Sequence, residues 1–213
     1  MIKINKIDPP SSIIQNKEKW TEEAQKYYEG NSDNKDFSTR YRQPDIKDRL
    51  VVETKSKCMY CESKILHVSY GDIEHIKPKS KRPDLIVDWD NLGLACTKCN
   101  NNKSSYYDSS LPLVNPYEDD PSEYFKFVGP MLQALIDERS IMTESVIGLN
   151  RMDLLERRAD RLRPLCNLLE QIKLIENPEI KNALLLQVCL ESDPSKEYSA
   201  MVRDYLSMNG FCL

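Results

Sequence analysis

The hydrophobic and polar positions along the chain predict helices at both of its ends. Residues 17–28 and 45–54 have the apolar spacing of amphipathic helices, and Pro44 suits the first turn of the second one. In the last third, the leucines and isoleucines of residues 154–175 fall largely on one helical stripe. Pro164 lies within that stripe, so we expect a kink or a boundary there.

Two further helices are predicted by an N-cap residue followed by proline. Asn177-Pro178 begins one of them, and Asp193-Pro194 begins the next. Gly210 can end the last helix, because glycine readily adopts the left-handed conformation found at helix carboxyl ends.

The middle of the chain has the pattern of short strands and turns. Residues 73–76 and 92–95 are the best strand candidates, and a hairpin is expected where residues 125–128 and 131–136 flank a glycine-proline pair. The chain then divides into four segments: a helical segment at 1–56, strands with paired cysteines at 57–110, a loop and hairpin at 111–150, and a helical segment at 151–213.

Length and composition fit a globular protein of a reducing compartment. The 213 residues are 40% hydrophobic and 30% charged, which is enough to bury a core, and no apolar stretch is long enough to span a membrane. The amino terminus lacks the apolar region of a secretion signal, so we expect a cytoplasmic protein. Its seven cysteines are then expected to bind metal or stay buried rather than form disulfides.

The charge is distributed unevenly along the chain. The formal net charge is −4, but residues 55–107 carry nine Lys and Arg against six Asp and Glu, which leaves −7 for the rest. A locally basic segment within an acidic protein suggests that one site handles a polyanion such as nucleic acid.

Two C-x2-C pairs, Cys58 with Cys61 and Cys96 with Cys99, are separated by 34 residues. Four thiolates so arranged can close a tetrahedron around Zn²⁺, and such a site is full, so the metal would be structural rather than catalytic. The alternatives are four reduced core cysteines or a redox C-x2-C motif. The doubled motif and the lack of a thioredoxin-like context favour zinc.

A candidate catalytic site lies between and just after the cysteine pairs. Glu74 and His75 lie on the first predicted strand, Asn91 precedes the second, and Asn100 and Lys103 follow the last cysteine. This order resembles the HNH endonucleases over about 50 residues, although Glu74 stands where aspartate is commoner and Asn100 where many members have histidine. The resemblance implies an α+β protein whose zinc-stapled ββα-metal (HNH) module is embedded between helical amino-terminal and carboxyl-terminal segments.

The resemblance also implies a role for each of these residues in phosphodiester hydrolysis. A neutral His75 would be the general base, and Glu74 and Asn100 would hold a catalytic Mg²⁺ or Mn²⁺. Asn91 would orient His75 or hold the loop, and Lys103 would meet a phosphate. Because neighbouring strand residues point to opposite faces, a site shared by Glu74 and His75 requires the strand to end or bulge there.

Motifs that extend beyond this module point to one particular family of HNH endonucleases. These motifs are Trp20, the segments 41–47, 57–62, 68–75 and 115–121, and Gly148-Leu-Asn-Arg151. With them, residues 1–158 resemble the PtuB family, the HNH subunit of Septu antiphage systems, which also occurs with some retrons. That resemblance implies a PtuA-like ATPase partner of the ABC/SMC type, and also a retron reverse transcriptase with its noncoding RNA.

Several alternatives stay open at this point. The protein could be a zinc-dependent nucleic-acid-binding module without catalysis, or a protein-interaction adaptor favoured by the acidic remainder and the helical tail. DNA and RNA both fit as substrates, Asn101 is an alternative ligand to Asn100, and His67 is read as a supporting residue. The stripe at 154–175 is expected to dock the ATPase, beside a solvated basic face formed by Arg157, Arg158, Arg161 and Arg163.

Overall fold

The computed structural model describes residues 1–65, 71–135 and 137–211. The amino-terminal segment contains three helices, which are α1 (Ser11–Tyr28), α2 (Phe37–Arg40) and α3 (Pro44–Glu53). The helix predicted at 17–28 is confirmed but begins earlier, at Ser11. The helix predicted after Pro44 is also confirmed, with the proline in its first turn.

The middle of the chain forms the expected ββα unit. Strands β1 (Asp72–His75) and β2 (Leu92–Ala95) pair antiparallel, so that Asp72 lies opposite Ala95 and His75 opposite Leu92. Helix α4 (Thr97–Lys103) follows β2 directly. The α+β fold with this unit between helical flanks is therefore confirmed, and β2 covers the predicted range.

A second hairpin and an unpredicted helix follow. Strands β3 (Phe125–Val128) and β4 (Met131–Ala134) pair antiparallel, which confirms the hairpin, although residue 136 lies outside the described residues. Helix α5 (Glu138–Ile147) was not predicted. Asp137 caps it by accepting a hydrogen bond from the Arg139 backbone N–H, and Gly148 ends it in the left-handed conformation, with φ of 68°.

The carboxyl-terminal segment contains helices α6 (Met152–Lys173), α7 (Pro178–Leu190) and α8 (Ser199–Met208). The prediction that Asn177 caps a helix is confirmed by its hydrogen bonds from the backbone of Glu179 and Ile180. The boundary considered at Pro164 is wrong, because α6 continues through it.

The helix predicted to begin at Asp193-Pro194 is also wrong, since α8 begins only at Ser199. Asp193 instead accepts a hydrogen bond from the Ser195 backbone N–H and forms a turn. The predicted glycine stop is confirmed, because Gly210 follows α8 with φ of 79°.

The apolar stripe of α6 lies in the protein's own core, and this corrects the expectation that it docks a partner. Arg158 also differs from the expected solvated face, because its side chain is buried over the Phe127 ring and donates to the Leu149 carbonyl. The buried stripe residues of α6 are Leu154, Leu162, Leu165, Leu169 and Ile172.

Within the described ranges, no helix has the length and apolarity needed to cross a lipid bilayer.

Candidate active site and zinc centre

The two cysteine pairs converge on one point beside the ββα unit. One potential ligand atom from each of Cys58, Cys61, Cys96 and Cys99 lies within 4.8 Å of the others. The Sγ atoms of Cys61 and Cys96 are 3.8 Å apart. Tetrahedral Zn²⁺ with bonds of about 2.3 Å requires sulfur separations of about 3.8 Å, so this donor set fits zinc.

Polar groups of neighbouring elements contact these sulfurs. Arg151, just before α6, donates from Nη1 to Cys99 Sγ at 3.6 Å, and the Ser63 hydroxyl lies 3.2 Å from Cys61 Sγ. Ser63 is in turn hydrogen-bonded to the hydroxyl of Tyr198 at 2.9 Å. Cationic and hydroxyl groups so placed stabilise thiolates, and they tie the zinc centre to the carboxyl-terminal segment.

His75 ends strand β1, and its ring is fixed by a backbone carbonyl. Its Nε2 lies 2.9 Å from the Ile86 oxygen. Because a carbonyl can only accept a hydrogen bond, Nε2 carries the proton and Nδ1 keeps a free lone pair. Burial lowers the pKa of His75 to about 4, so the imidazole is neutral at pH 7.

Asn91 holds the loop that carries this carbonyl. Its Oδ1 accepts from the Lys77 backbone N–H at 2.7 Å, and its Nδ2 donates to the carbonyls of Lys77 and Leu85, each at 3.0 Å. Of the two roles considered for Asn91, the structure therefore supports holding the loop. Its backbone oxygen also accepts a hydrogen bond from the N–H of Ile76, next to His75, at 2.9 Å.

Glu74 and Lys103 form a buried ion pair under the strand. The Lys103 ammonium lies 2.6 Å from Glu74 Oε1, and it also donates to the His75 carbonyl at 2.9 Å. Burial raises the pKa of Glu74, while the charge of Lys103 and a long contact from the Tyr60 hydroxyl oppose that shift. The structure thus places Lys103 beneath the site, whereas the sequence predicted that it reaches a phosphate.

Asn100 lies on α4 beside β1. Its Nδ2 donates to Asp72 Oδ2 at 3.1 Å, which leaves Asn100 Oδ1 as an acceptor. Its neighbour Asn101 is exposed and does not line the cavity described below. His67 lies outside the described residues.

An open cavity of about 320 Å³ brings the predicted residues together. Glu74, His75 and Asn100 all line it, and β1 ends at His75. Asn91 and Lys103 are not part of its wall. Further residues that line it are Tyr28, Tyr41, Ile73, Pro78, Lys79, Ser80, Ser104 and Ser105.

The sequence analysis did not identify two residues of this site, Asp72 and Tyr41. Asp72 is two residues before Glu74 on the same strand face, so the period of two could have indicated it. Tyr41 comes from the end of α2, and nothing in its local pattern indicated a contact with His75. The arrangement supplies a neutral base, acidic and amide oxygens and a cation around one cavity, which suits hydrolysis of a phosphodiester.

Comparisons with known proteins agree with this geometry. The profile of the HNH endonuclease family matches residues 58–105. The Septu protein PtuB of Bacillus thuringiensis is 30% identical over an alignment of 223 positions, which covers 98% of this chain and 83% of that protein. The Septu protein PtuB of Bacillus mycoides strain KBAB4 is 28% identical over an alignment of 206 positions, which covers 80% of this chain and 68% of that protein.

The matched residues 58–105 include both cysteine pairs, the paired strands and α4. The similarity to the Bacillus thuringiensis protein extends over nearly the whole chain, including the helical flanks. The sequence motifs and these comparisons lead to one conclusion, which is that the chain belongs to the PtuB family of Septu proteins and carries an HNH nuclease domain.

Proposed function

We propose that this protein is the metal-dependent nuclease subunit of a Septu defence complex, which cleaves nucleic-acid phosphodiesters with His75 as the general base. The observation that carries the proposal is the state of His75 at the cavity wall. The ring is neutral, its Nε2 is committed to the Ile86 carbonyl, and its Nδ1 has a lone pair for a proton.

Glu74 and Asn100 are the residues that would hold a catalytic Mg²⁺ or Mn²⁺. The hydrogen bonds and ion pair described for Glu74 fall on Oε1, and Asn100 keeps Oδ1 as an acceptor, so the set offers hard oxygen donors. When bound, the ion supplies positive charge next to the phosphate as negative charge builds up on it.

The reaction uses the remaining residues as follows. A water molecule attacks phosphorus and gives its proton to His75 Nδ1, while the Ile86 carbonyl stabilises the imidazolium through Nε2. A P–O bond forms to the water oxygen and a bridging P–O bond breaks, leaving a phosphate monoester and an alkoxide that takes a proton from solvent water. The imidazolium then returns its proton to solvent. The negative phosphate itself favours the protonated imidazole once the substrate is bound.

A partner is part of the proposal, as the resemblance to Septu proteins implies. The formal net charge of the chain is −4, which does not attract a polyanion, so an ATPase of the PtuA type would supply further contacts to phosphates. The surface proposed for docking is the outer face of α7, where Leu186 is 68% exposed and Leu190 65% exposed. A retron reverse transcriptase with its noncoding RNA stays a prediction.

The nuclease proposal is tested with the purified complex on duplex DNA, single-stranded DNA and tRNA, with Mg²⁺ and ATP. We expect His75→Ala to fold, retain zinc and lose at least about 100-fold in rate. Asn100→Ala should also lose activity, and Asn101→Ala, at the exposed neighbouring position, should not. Cleavage by His75→Ala within threefold of the parent would contradict the assignment and favour the non-catalytic binding module.

The docking proposal is tested by co-purification. The double variant Leu186→Glu, Leu190→Glu should keep the fold and lose the ATPase from pull-downs. Ile14→Glu is the matched control, because Ile14 is equally exposed but lies on α1. Equal retention of the ATPase by the double variant and the control would contradict this surface.

A further inference from the structure

The general base packs against a residue from outside the HNH match. Tyr41 follows α2 in the amino-terminal segment, whereas the family profile begins at residue 58. Its ring and the His75 ring meet edge to face, with centroids 4.5 Å apart and planes at 85°. Tyr41 is only 5% exposed, so the imidazole packs against a buried aromatic ring on this side.

The amino-terminal helices hold Tyr41 in place. Just before it, Arg40 pairs with Glu23 of α1 at 3.1 Å. Just after it, Asp45 at the start of α3 accepts hydrogen bonds from the Ser12 hydroxyl at 2.7 Å and the Ser12 backbone N–H at 3.0 Å. Tyr41 is therefore fixed on both sides by contacts with α1, and its ring presents a firm surface to His75.

The phenol of Tyr41 has a separate contact. Its oxygen accepts a hydrogen bond from Lys79 Nζ at 3.0 Å, and Lys79 lines the same cavity as His75. Burial acts to raise the pKa of Tyr41, but Lys79 and Arg42 outweigh it and bring the pKa below its ordinary value. The hydrogen bond thus holds the Lys79 ammonium at the cavity wall.

We propose that Tyr41 is a positioning residue of the active site with two separable roles. Its ring holds the His75 imidazole in the orientation that bonds to Ile86, and its phenol holds Lys79 where it meets an oxygen of the scissile phosphate. This inference rests on the proposed nuclease function. It makes the amino-terminal helical segment part of the catalytic apparatus, rather than a separate flank of the HNH module.

The role of the ring can be tested without substrate. The chain has two histidines, so the imidazole signals in an NMR spectrum of protein labelled with ¹⁵N-histidine are few, and His75→Ala assigns those of His75. The parent should show the Nε2-protonated tautomer at pH 7. Tyr41→Phe should leave this pattern unchanged, while Tyr41→Leu should shift the ring protons and mix the tautomers.

The two roles predict different kinetic defects in the full complex. Tyr41→Leu should lower kcat by about tenfold or more, because the base is no longer oriented. Tyr41→Phe should keep kcat and raise KM severalfold, as Lys79→Gln should. The double variant Tyr41→Phe, Lys79→Gln should be no worse than Lys79→Gln alone, because the phenol acts on the substrate only through Lys79. Tyr27→Phe, which removes a phenol of α1 that does not line the cavity, should match the parent.

The outcomes separate this inference from the nuclease proposal. If the parent cleaves and His75→Ala does not, but Tyr41→Leu matches the parent in both kcat and the His75 spectrum, the ring has no positioning role. If Tyr41→Leu does not fold, an unchanged KM in Tyr41→Phe or additive defects with Lys79→Gln would overturn the role of the phenol. If His75→Ala cleaves like the parent, the nuclease assignment fails, whatever the spectrum shows.

Discussion

Replacing Lys103 with methionine tests where this side chain lies. The structure places it against Glu74, whereas the sequence predicted that it contacts a bound phosphate. The ammonium and the carboxylate are 2.6 Å apart, and their side chains are only 3% and 4% exposed. Removing one partner of such a pair leaves a buried charge without compensation, which costs about 4 kcal/mol. For a chain of this length, that corresponds to a fall in melting temperature of roughly 10 °C.

An outward Lys103 would give a different result. A solvent-exposed lysine contributes about 0 to 1 kcal/mol through ion pairs, so Lys103→Met would then leave the melting temperature nearly unchanged. The assay is thermal and chemical unfolding of the zinc-loaded protein without added Mg²⁺ or Mn²⁺. Glu74→Gln combined with Lys103→Met is the control, because it removes both charges and should recover much of the lost stability.

The pH dependence gives a second readout of the same pair. Burial raises the pKa of Glu74 even with Lys103 present, and removing the lysine raises it further. The folded state then binds the proton more tightly than the unfolded state, so stability falls as pH rises from the unfolded pKa to the folded pKa. The deficit of Lys103→Met should therefore grow as pH rises above 4.5, the ordinary pKa of glutamate, and should be absent in the double variant. A deficit that does not change with pH would refute the buried pair.

Three further predictions concern the zinc centre and the loop. Cys96→Ser should lose zinc and solubility together, as metal analysis of the purified protein will show, and one equivalent of zinc in a folded variant would contradict the four-thiolate site. Arg151→Gln should fold but weaken zinc binding about tenfold in chelator competition, whereas exposed Arg157→Gln should not change it. Asn91→Ala should lower the free energy of unfolding by about 3 kcal/mol in chemical denaturation, because three hydrogen bonds in the loop are lost, and a change below about 0.5 kcal/mol would argue against its role.

The cluster of four cysteines and the ββα unit could be predicted because local signals specify them. The spacing of the cysteine pairs determines which thiolates meet, and the apolar run at 92–95 becomes β2 without a change of bounds. The hairpin at 125–134 was similarly marked by its turn residues. In each case, the residues that give the signal are also the residues that form the structure.

Helix α5 could not be found from hydrophobic periodicity, because the face that packs inward is partly polar. Ser140 and Thr143 are fully buried beside Ile147, and each hydroxyl donates to a nearby backbone carbonyl. The signal at Asp193 misled for a related reason, since the same Asp-Pro pattern that begins helices also forms turns. Helix α8 begins instead at Ser199, whose hydroxyl donates a hydrogen bond of 2.9 Å to buried Glu62.

The candidate site could also be predicted only in part. The order of Glu74, His75 and Asn100 along the chain indicated the chemistry, but it could not show that Lys103 turns inward to Glu74. Nor could it show that Tyr41 packs against the His75 ring, because that contact depends on how three helices pack before the module begins. Contacts between distant segments are set by tertiary packing, which short-range patterns do not encode.

The most direct test of the account is anomalous X-ray scattering from crystals of the zinc-loaded protein soaked in Mn²⁺. The account predicts a zinc peak among the four cysteine sulfurs and a separate manganese peak in the cavity, about 2.1 Å from oxygens of Glu74 and Asn100 and beside His75. A manganese peak that avoids Glu74 and Asn100, or a fully loaded crystal with no peak in this cavity, would contradict the proposed catalytic site.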